Sequence, residues 1–222
     1  MKTRKQLLFF LLFTILGFIT LQIPFTKLAG SNVSFTLFDF FGPIAGAFLG
    51  SMFGVVSVAA VEIFNIIVHH TPITVGVIIR LFPTLFATYY FAVLSKKKVS
   101  KPYILIVPVA AIVLFVLNPI GRTVWYYSLF WTIPLLSYML RDNVIMRSLG
   151  ATFTAHAVGG AAWIWAFNLP AAVWKGLIPT VIEERMLFTF GIALSYYAMR
   201  EALKFLAKKK VIPSLESLSP SF

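Results

Sequence analysis

The sequence predicts an all-α bundle of membrane-spanning helices, about eight of them (six or seven on alternative counts), joined by short loops. Three observations carry this expectation. Of the 222 residues, 59% are hydrophobic and 12% charged, more apolar surface than the core of a soluble domain needs. The 19 Lys and Arg outnumber the 7 Asp and Glu and gather in short clusters between apolar runs. That is the positive-inside pattern of a membrane protein, not the face of a nucleic-acid binder. There is no cysteine, which excludes disulfides, thiolate metal sites and thiol catalysis together.

The first run, "QLLFFLLFTILGFITLQIPF", follows "MKTRK". It is too long for a signal-peptide core and has no small-residue cleavage site after it, so residues 7–25 are expected to stay as the first span. The next apolar region, 36–68, is too long for one span. As a single helix it would place most basic clusters on the outer side. As a hairpin of 36–50 and 52–68 it places "MKTRK", "SKKKVSK", the Arg141–Arg147 loop and the Arg200–Lys210 stretch together on the cytoplasmic side. Lys27, Arg122 and Lys175 then remain outside. Inverting the single-helix arrangement restores much of the balance but puts "MKTRK" outside, so the hairpin is preferred. Gly42, Gly46, Gly50 and Gly54 fall at every fourth position. The first three share one helix face, where a second backbone can approach closely, and Gly50-Ser51 makes a tight turn. Further spans are expected at 73–94, 103–118, 124–140, 148–167 and 176–200. Residues 1–210 form one integral membrane domain. Residues 211–222, with Ser and Pro and little to bury, form a flexible cytoplasmic tail. Both termini face the cytoplasm of a multi-pass protein in the cell membrane.

An ionisable residue inside a span is costly and marks a functional site by default. At ~1.5 Å per helical residue, Glu62 and Arg80 lie roughly 9–10 Å below the outer ends of their spans, and Glu183, Glu184 and Arg185 roughly 10–14 Å below theirs. Charges from three separate spans thus share one depth. Asn65 follows Glu62 on the same face, and Asp39 opens the second span near the outer surface. The inner half holds little that is comparable except His156 near mid-membrane. The pattern describes a polar pocket that opens outward, with Asp39, Glu62, Asn65, Arg80, Glu183, Glu184, Arg185, Trp125 and His156 as candidate substrate-binding residues. Static ion pairs between helices would explain any one of these charges, but less well their common depth. Of the adjacent Glu183 and Glu184, only one needs to face inward. Trp125, Trp163, Trp165 and Trp174 read as an interfacial belt; Trp125 is also placed to stack on a flat ligand at the pocket mouth. His69-His70 lacks a third partner in sequence, so no metal site, cofactor or catalytic residue is assigned.

The segment Ile23 to Ile67 resembles the S component, the substrate-binding membrane subunit, of energy-coupling factor (ECF) transporters. The likeness rests on Ile23-Pro24 ending the first helix, Phe35-Thr36-Leu37 starting a short second one, and Ala45-Gly46-Ala47-Phe48-Leu49-Gly50 leading through a turn into the third. It covers the first 95 residues or so, with a looser likeness at "WKGLIPTVIEERMLF". The resemblance implies capture of a small vitamin-like solute outside, and release inward when an ECF-type transmembrane coupling subunit and its ATPases topple the subunit. It also implies a ligand site at Phe35–Asp39 and the outer halves of later helices. Two features depart from the family pattern. There is an extra pair of spans in about 103–140, and the first span has no "AxxxA" pattern for docking the partner; Ala151, Ala155 and Gly159 offer small residues elsewhere.

Two other readings follow from the sequence. Phe153–His156 and Glu183–Arg185 share residue types with intramembrane metal-dependent hydrolases of the CAAX-protease kind, in reversed order and with the wrong spacing. A scaffold of the MreD type would share the helices but need no charged pocket.

Overall fold

The computed structural model describes residues 2–27, 34–96 and 101–209 of the chain; the tail expected over 211–222 lies outside them. The described chain is overwhelmingly helical. Its elements in order are α1 (Lys2–Leu21), the strands β1 (Pro24–Lys27) and β2 (Ser34–Thr36), then α2 (Phe38–Phe41) and α3 (Ala45–Leu49) joined by a 3₁₀ turn. α4 (Ser51–Val68), α5 (Val75–Leu94), α6 (Ile106–Leu117), α7 (Pro119–Thr123), α8 (Ile133–Met139), α9 (Val144–Ala166) and α10 (Ala171–Lys208) follow.

The chain reverses at Gly50, whose φ of 87° and ψ of 155° suit a residue without a Cβ. α3 and α4 fold back on each other there, so closely that a Cβ on Gly54 would run into the Gly46 backbone. Gly46 also meets α5, because a Cβ on it would press on Ala92 and the Thr88 carbonyl. The first limb is shorter than expected. Phe38 to Leu49 spans roughly 18 Å at 1.5 Å per residue, well under a bilayer core of about 30 Å. Pro43, with no N–H to donate, falls in the 3₁₀ turn Gly42–Ile44 that interrupts it.

Side-chain pairs set the direction of each helix. Phe10 meets Phe53 and Phe18 meets Phe64, so α1 and α4 run parallel. The Thr88 hydroxyl donates to the Gly42 carbonyl at 3.1 Å, and Tyr90 abuts Gly150 where α5 crosses α9. Arg185 bonds Thr152, tying α10 to α9. Successive segments therefore alternate between two ends of the bundle. The upper end carries the β1–β2 hairpin, His69–Thr74, Asn118–Trp125 and Phe167–Pro170. The lower end carries Gly50, Ser95, Lys101 and Arg141–Asn143.

Local chemistry sets the boundaries. The Thr74 hydroxyl caps α5 by accepting from Val77 N at 3.3 Å, and the Asn143 side chain caps α9 by accepting from Ile145 N at 2.8 Å. Asn118 accepts from Ile120 N at 2.9 Å, while its amide donates to the Ile164 carbonyl at 3.3 Å, fixing the top of α6 to the top of α9. The helix expected over 124–140 is instead a 3₁₀ run, Trp125–Thr132, followed by the two-turn α8. Trp131 and Tyr127 fill the core from this run. The helix expected from 176 starts at Ala171 and continues to Lys208.

Buried side chains form two clusters. One, around Phe13, Phe41, Phe48, Tyr90 and Phe91, is built on α1 to α5 and closed by residues of α9 and α10. The other, around Phe115, Tyr127, Trp131, Phe153 and Trp174, lies among α6 to α10. Residues of α9 belong to both and pin the halves together. Trp174, expected in an interfacial belt, is in fact 2% exposed and packed on Phe115 and Tyr127. Among the described residues, α4 and α5 are the helices long and apolar enough to cross a membrane, and Phe9–Leu21 and Pro102–Leu117 are shorter apolar segments.

Candidate functional site at the hairpin end

β1 and β2 pair antiparallel, Lys27 with Ser34 and Pro24 with Thr36, with a bulge between Pro24 and Thr26. Aromatic packing seats this hairpin on the bundle. Phe188 of α10 makes edge contacts with Phe35 at 4.8 Å, Phe40 at 5.5 Å and Phe25 at 6.0 Å between ring centroids. The Asp39 carboxylate fixes the hairpin's exit by accepting from Thr36 N at 2.8 Å and from the Thr36 hydroxyl at 3.4 Å.

Beneath the hairpin lies an open cavity of about 380 Å³. Gln22, Ser34, Thr36, Asn65, His69 and Arg80 provide its polar wall, from α1, the hairpin, α4 and α5. The wall is partly pre-set. The Gln22 amide donates to Asn65 Oδ1 at 2.9 Å, and His69 Nδ1 lies 3.0 Å from the Asn65 carbonyl. Arg80 is exposed to the cavity and makes no ion pair among the described residues, although both Asp39 and Glu62 act on it electrostatically. Glu62 lies against Thr84, and its Oε2 is buried with no hydrogen-bond partner. Arg80 thus presents N–H donors to the cavity, and behind it Glu62 keeps a carboxylate oxygen in need of a donor.

Arg185 occupies the other side of this charge cluster. It is 6% exposed, with its guanidinium carbon 4.3 Å above the Phe188 ring and 5.6 Å from that of Phe35. Nη1 donates to the Thr152 hydroxyl at 3.2 Å, and Nη2 pairs with Glu184 at 3.4 Å. The choice left open by the sequence is settled here: Glu184 turns inward to Arg185, and Glu183 is exposed. Asp39 lies within electrostatic reach of both Arg80 and Arg185 and links the two cations.

His156 and Trp125 sit away from the cavity wall. Trp131 Nε1 donates to His156 Nδ1 at 3.0 Å, and His156 Nε2 lies 3.1 Å from the Tyr127 hydroxyl. An indole N–H can only donate, so Nδ1 accepts, and the neutral ring carries its proton on Nε2 and donates it to Tyr127. Both nitrogens are thus committed to the protein. Tyr127→Phe leaves the Nε2–H unpaired and is expected to cost about 1–3 kcal/mol in a denaturation experiment, without changing solute affinity. Trp125 is 54% exposed, packs edge-on against Tyr126, and is absent from the cavity wall.

Sequence reasoning missed Gln22, Ser34, the Phe25–Phe40–Phe188 cluster and Thr152. Gln22 carries a signal, since it is a lone amide at the end of an apolar run. Thr152 depends on the packing of α9 against α10, and the others on the hairpin, which no periodicity announces.

A curated protein of Methanocaldococcus jannaschii, described as uncharacterized, is 25% identical to this chain over 240 residues, covering 95% of the chain and 78% of the relative. No family model and no solved structure matches the chain.

Proposed function

We propose that the chain is a membrane-embedded binding subunit of a transporter, which captures a small solute from the outside at the hairpin end for uptake. The observation that carries this reading is the convergence of Asp39, Glu62, Arg80 and Arg185, from distant parts of the chain, beside an open cavity with a polar wall. A static ion-pair lattice would pair Arg80 and satisfy Glu62 Oε2; neither is satisfied. The cavity volume falls within the usual range for small-molecule sites. Placement in a membrane is supported by the apolar residues turned outward around the helices, among them Leu12, Ile15, Phe53, Ile67, Val113 and Phe190, each about half exposed or more. The S-component-like order, in which a short interrupted limb and a glycine turn precede the long third segment, supports the transporter reading further.

Coupling to an ECF module would need a docking face other than the Ala151–Gly159 stripe. Ala151 is fully buried, and Gly159 faces Pro83 of α5, so the stripe is consumed inside the bundle. His156, with both nitrogens engaged, is a poor base or ligand for the hydrolase alternative.

Thermal unfolding of the purified chain against a panel of vitamins and related metabolites tests the proposal. A binder is expected to raise Tm, and Arg80→Ala or Glu62→Gln to weaken its affinity by roughly tenfold or more. A panel without a hit, together with unimpaired cellular function in both variants, would remove the support for it.

A further inference from the structure

The lower end holds a second buried arginine, which lacks the carboxylate partner that Arg185 has. Arg147, on the first turns of α9, is 7% exposed. Its guanidinium carbon sits 5.5 Å from the Phe91 ring and 5.4 Å from the Tyr196 ring, held between α5 and α10. The two ion pairs among the described residues are Arg185–Glu184 and Lys204–Glu201, so Arg147 has no carboxylate partner, and its Nε is buried with no acceptor. Two buried hydroxyls at the same end of the bundle also lack a partner among the described residues. Ser148 follows it on α9. Ser137 lies on the facing turn of α8, one turn below the point where the Tyr90 hydroxyl donates to Pro134 and abuts Gly150. Both serines are fully buried.

A buried cation without an anion is among the costliest arrangements in a folded chain, and ring faces compensate it only in part. Its own unpaired Nε raises the cost. The arrangement makes sense when an oxyanion completes it. We infer that the Arg147 pocket is a binding site for a phosphate group, engaged by the guanidinium fork, and that an anionic phospholipid headgroup supplies that phosphate. Arginine's planar donor set suits phosphate oxygens, and its place between two rings fixes the fork in advance. Two surroundings favour a lipid as the source. Met139 and Leu140, next to the site, are 79% and 57% exposed and would lie along an acyl chain. Lys96, Arg141, Arg200 and Lys204 surround the same end with positive charge.

The test uses the full chain in a neutral maltoside detergent. Phosphatidylglycerol, phosphatidylcholine and inorganic phosphate are titrated separately at constant ionic strength while thermal unfolding is followed. Phosphatidylglycerol is expected to raise Tm by roughly 2–4 °C and phosphatidylcholine to do less. The rise should persist in Lys175→Gln, an exposed charge at the opposite end, and vanish in Arg147→Met. Native mass spectrometry should find phosphatidylglycerol retained by the parent and lost from Arg147→Met. If Arg147→Met does not fold, Arg147→Lys keeps the charge but not the fork, and its titration midpoint should weaken by about tenfold. An equal response to inorganic phosphate would support the site and assign it a soluble oxyanion. An unchanged phosphatidylglycerol response in the Arg147 variants, or a parent chain indifferent to all three probes, would overturn the inference.

Discussion

Replacing Gly54 with valine is expected to abolish folding of the full chain. A Cβ on residue 54 would collide with the Gly46 backbone, and behind Gly46 stand Ala92 and the Thr88 carbonyl of α5. None of these is the flexible end of a side chain, so the α3–α4 hairpin would have to open. Overpacking a yielding core site costs about 1–3 kcal/mol; here rigid backbone meets backbone, and the loss should exceed that range. The expected readout is loss of monodisperse protein on size exclusion. Gly50→Ala is a useful contrast. A Cβ at residue 50 meets nothing within 4 Å, so only its left-handed φ is penalised. The cost there should be about 1 kcal/mol and the protein should still fold. A well-folded Gly54→Val would mean that the two limbs do not touch.

Arg185→Met is expected to destabilise the chain by about 3 kcal/mol, because it removes a buried cation that pairs with Glu184, 14% exposed at its side chain. It also strips Thr152 of a donor and Phe35 and Phe188 of a cation above their faces. The double variant Arg185→Met with Glu184→Gln removes both charges of the pair and should recover part of that loss. Chemical denaturation of both variants measures the difference. Arg185 stands between the Phe35 ring of the hairpin and α10, so solute affinity should fall in the double variant even where stability returns. Recovery of both stability and affinity would show that Arg185 serves only the scaffold.

The sequence made the reversal at Gly50 legible through charge balance and glycine spacing, two signals that do not depend on tertiary contacts. It located Glu62, Arg80 and Arg185 through the cost of placing charge in an apolar run. Four things stay hidden. The first hairpin limb is interrupted because Pro43 sits in a 3₁₀ turn, and an apolar run gives no measure of that shortening. Trp174 reads as a surface-belt residue because it falls at the outer boundary of a span, but the long α10 turns it into the core against Phe115. The β1–β2 hairpin has too few residues for an alternation to show, yet it covers the cavity and supplies Ser34 and Thr36. His156 stands out in the sequence as an ionisable residue near mid-membrane, but that position does not reveal that Trp131 and Tyr127 occupy both its nitrogens.

The central claim is a bundle in a membrane with the cavity open to the outside. The chain has no cysteine, so single cysteines report without background. His69→Cys lines the cavity, and Asp142→Cys is exposed in the loop at the opposite end. In intact cells a membrane-impermeant maleimide should label residue 69 at once and residue 142 only after permeabilisation. Labelling of residue 142 from outside, or no difference between the two positions, would contradict the account.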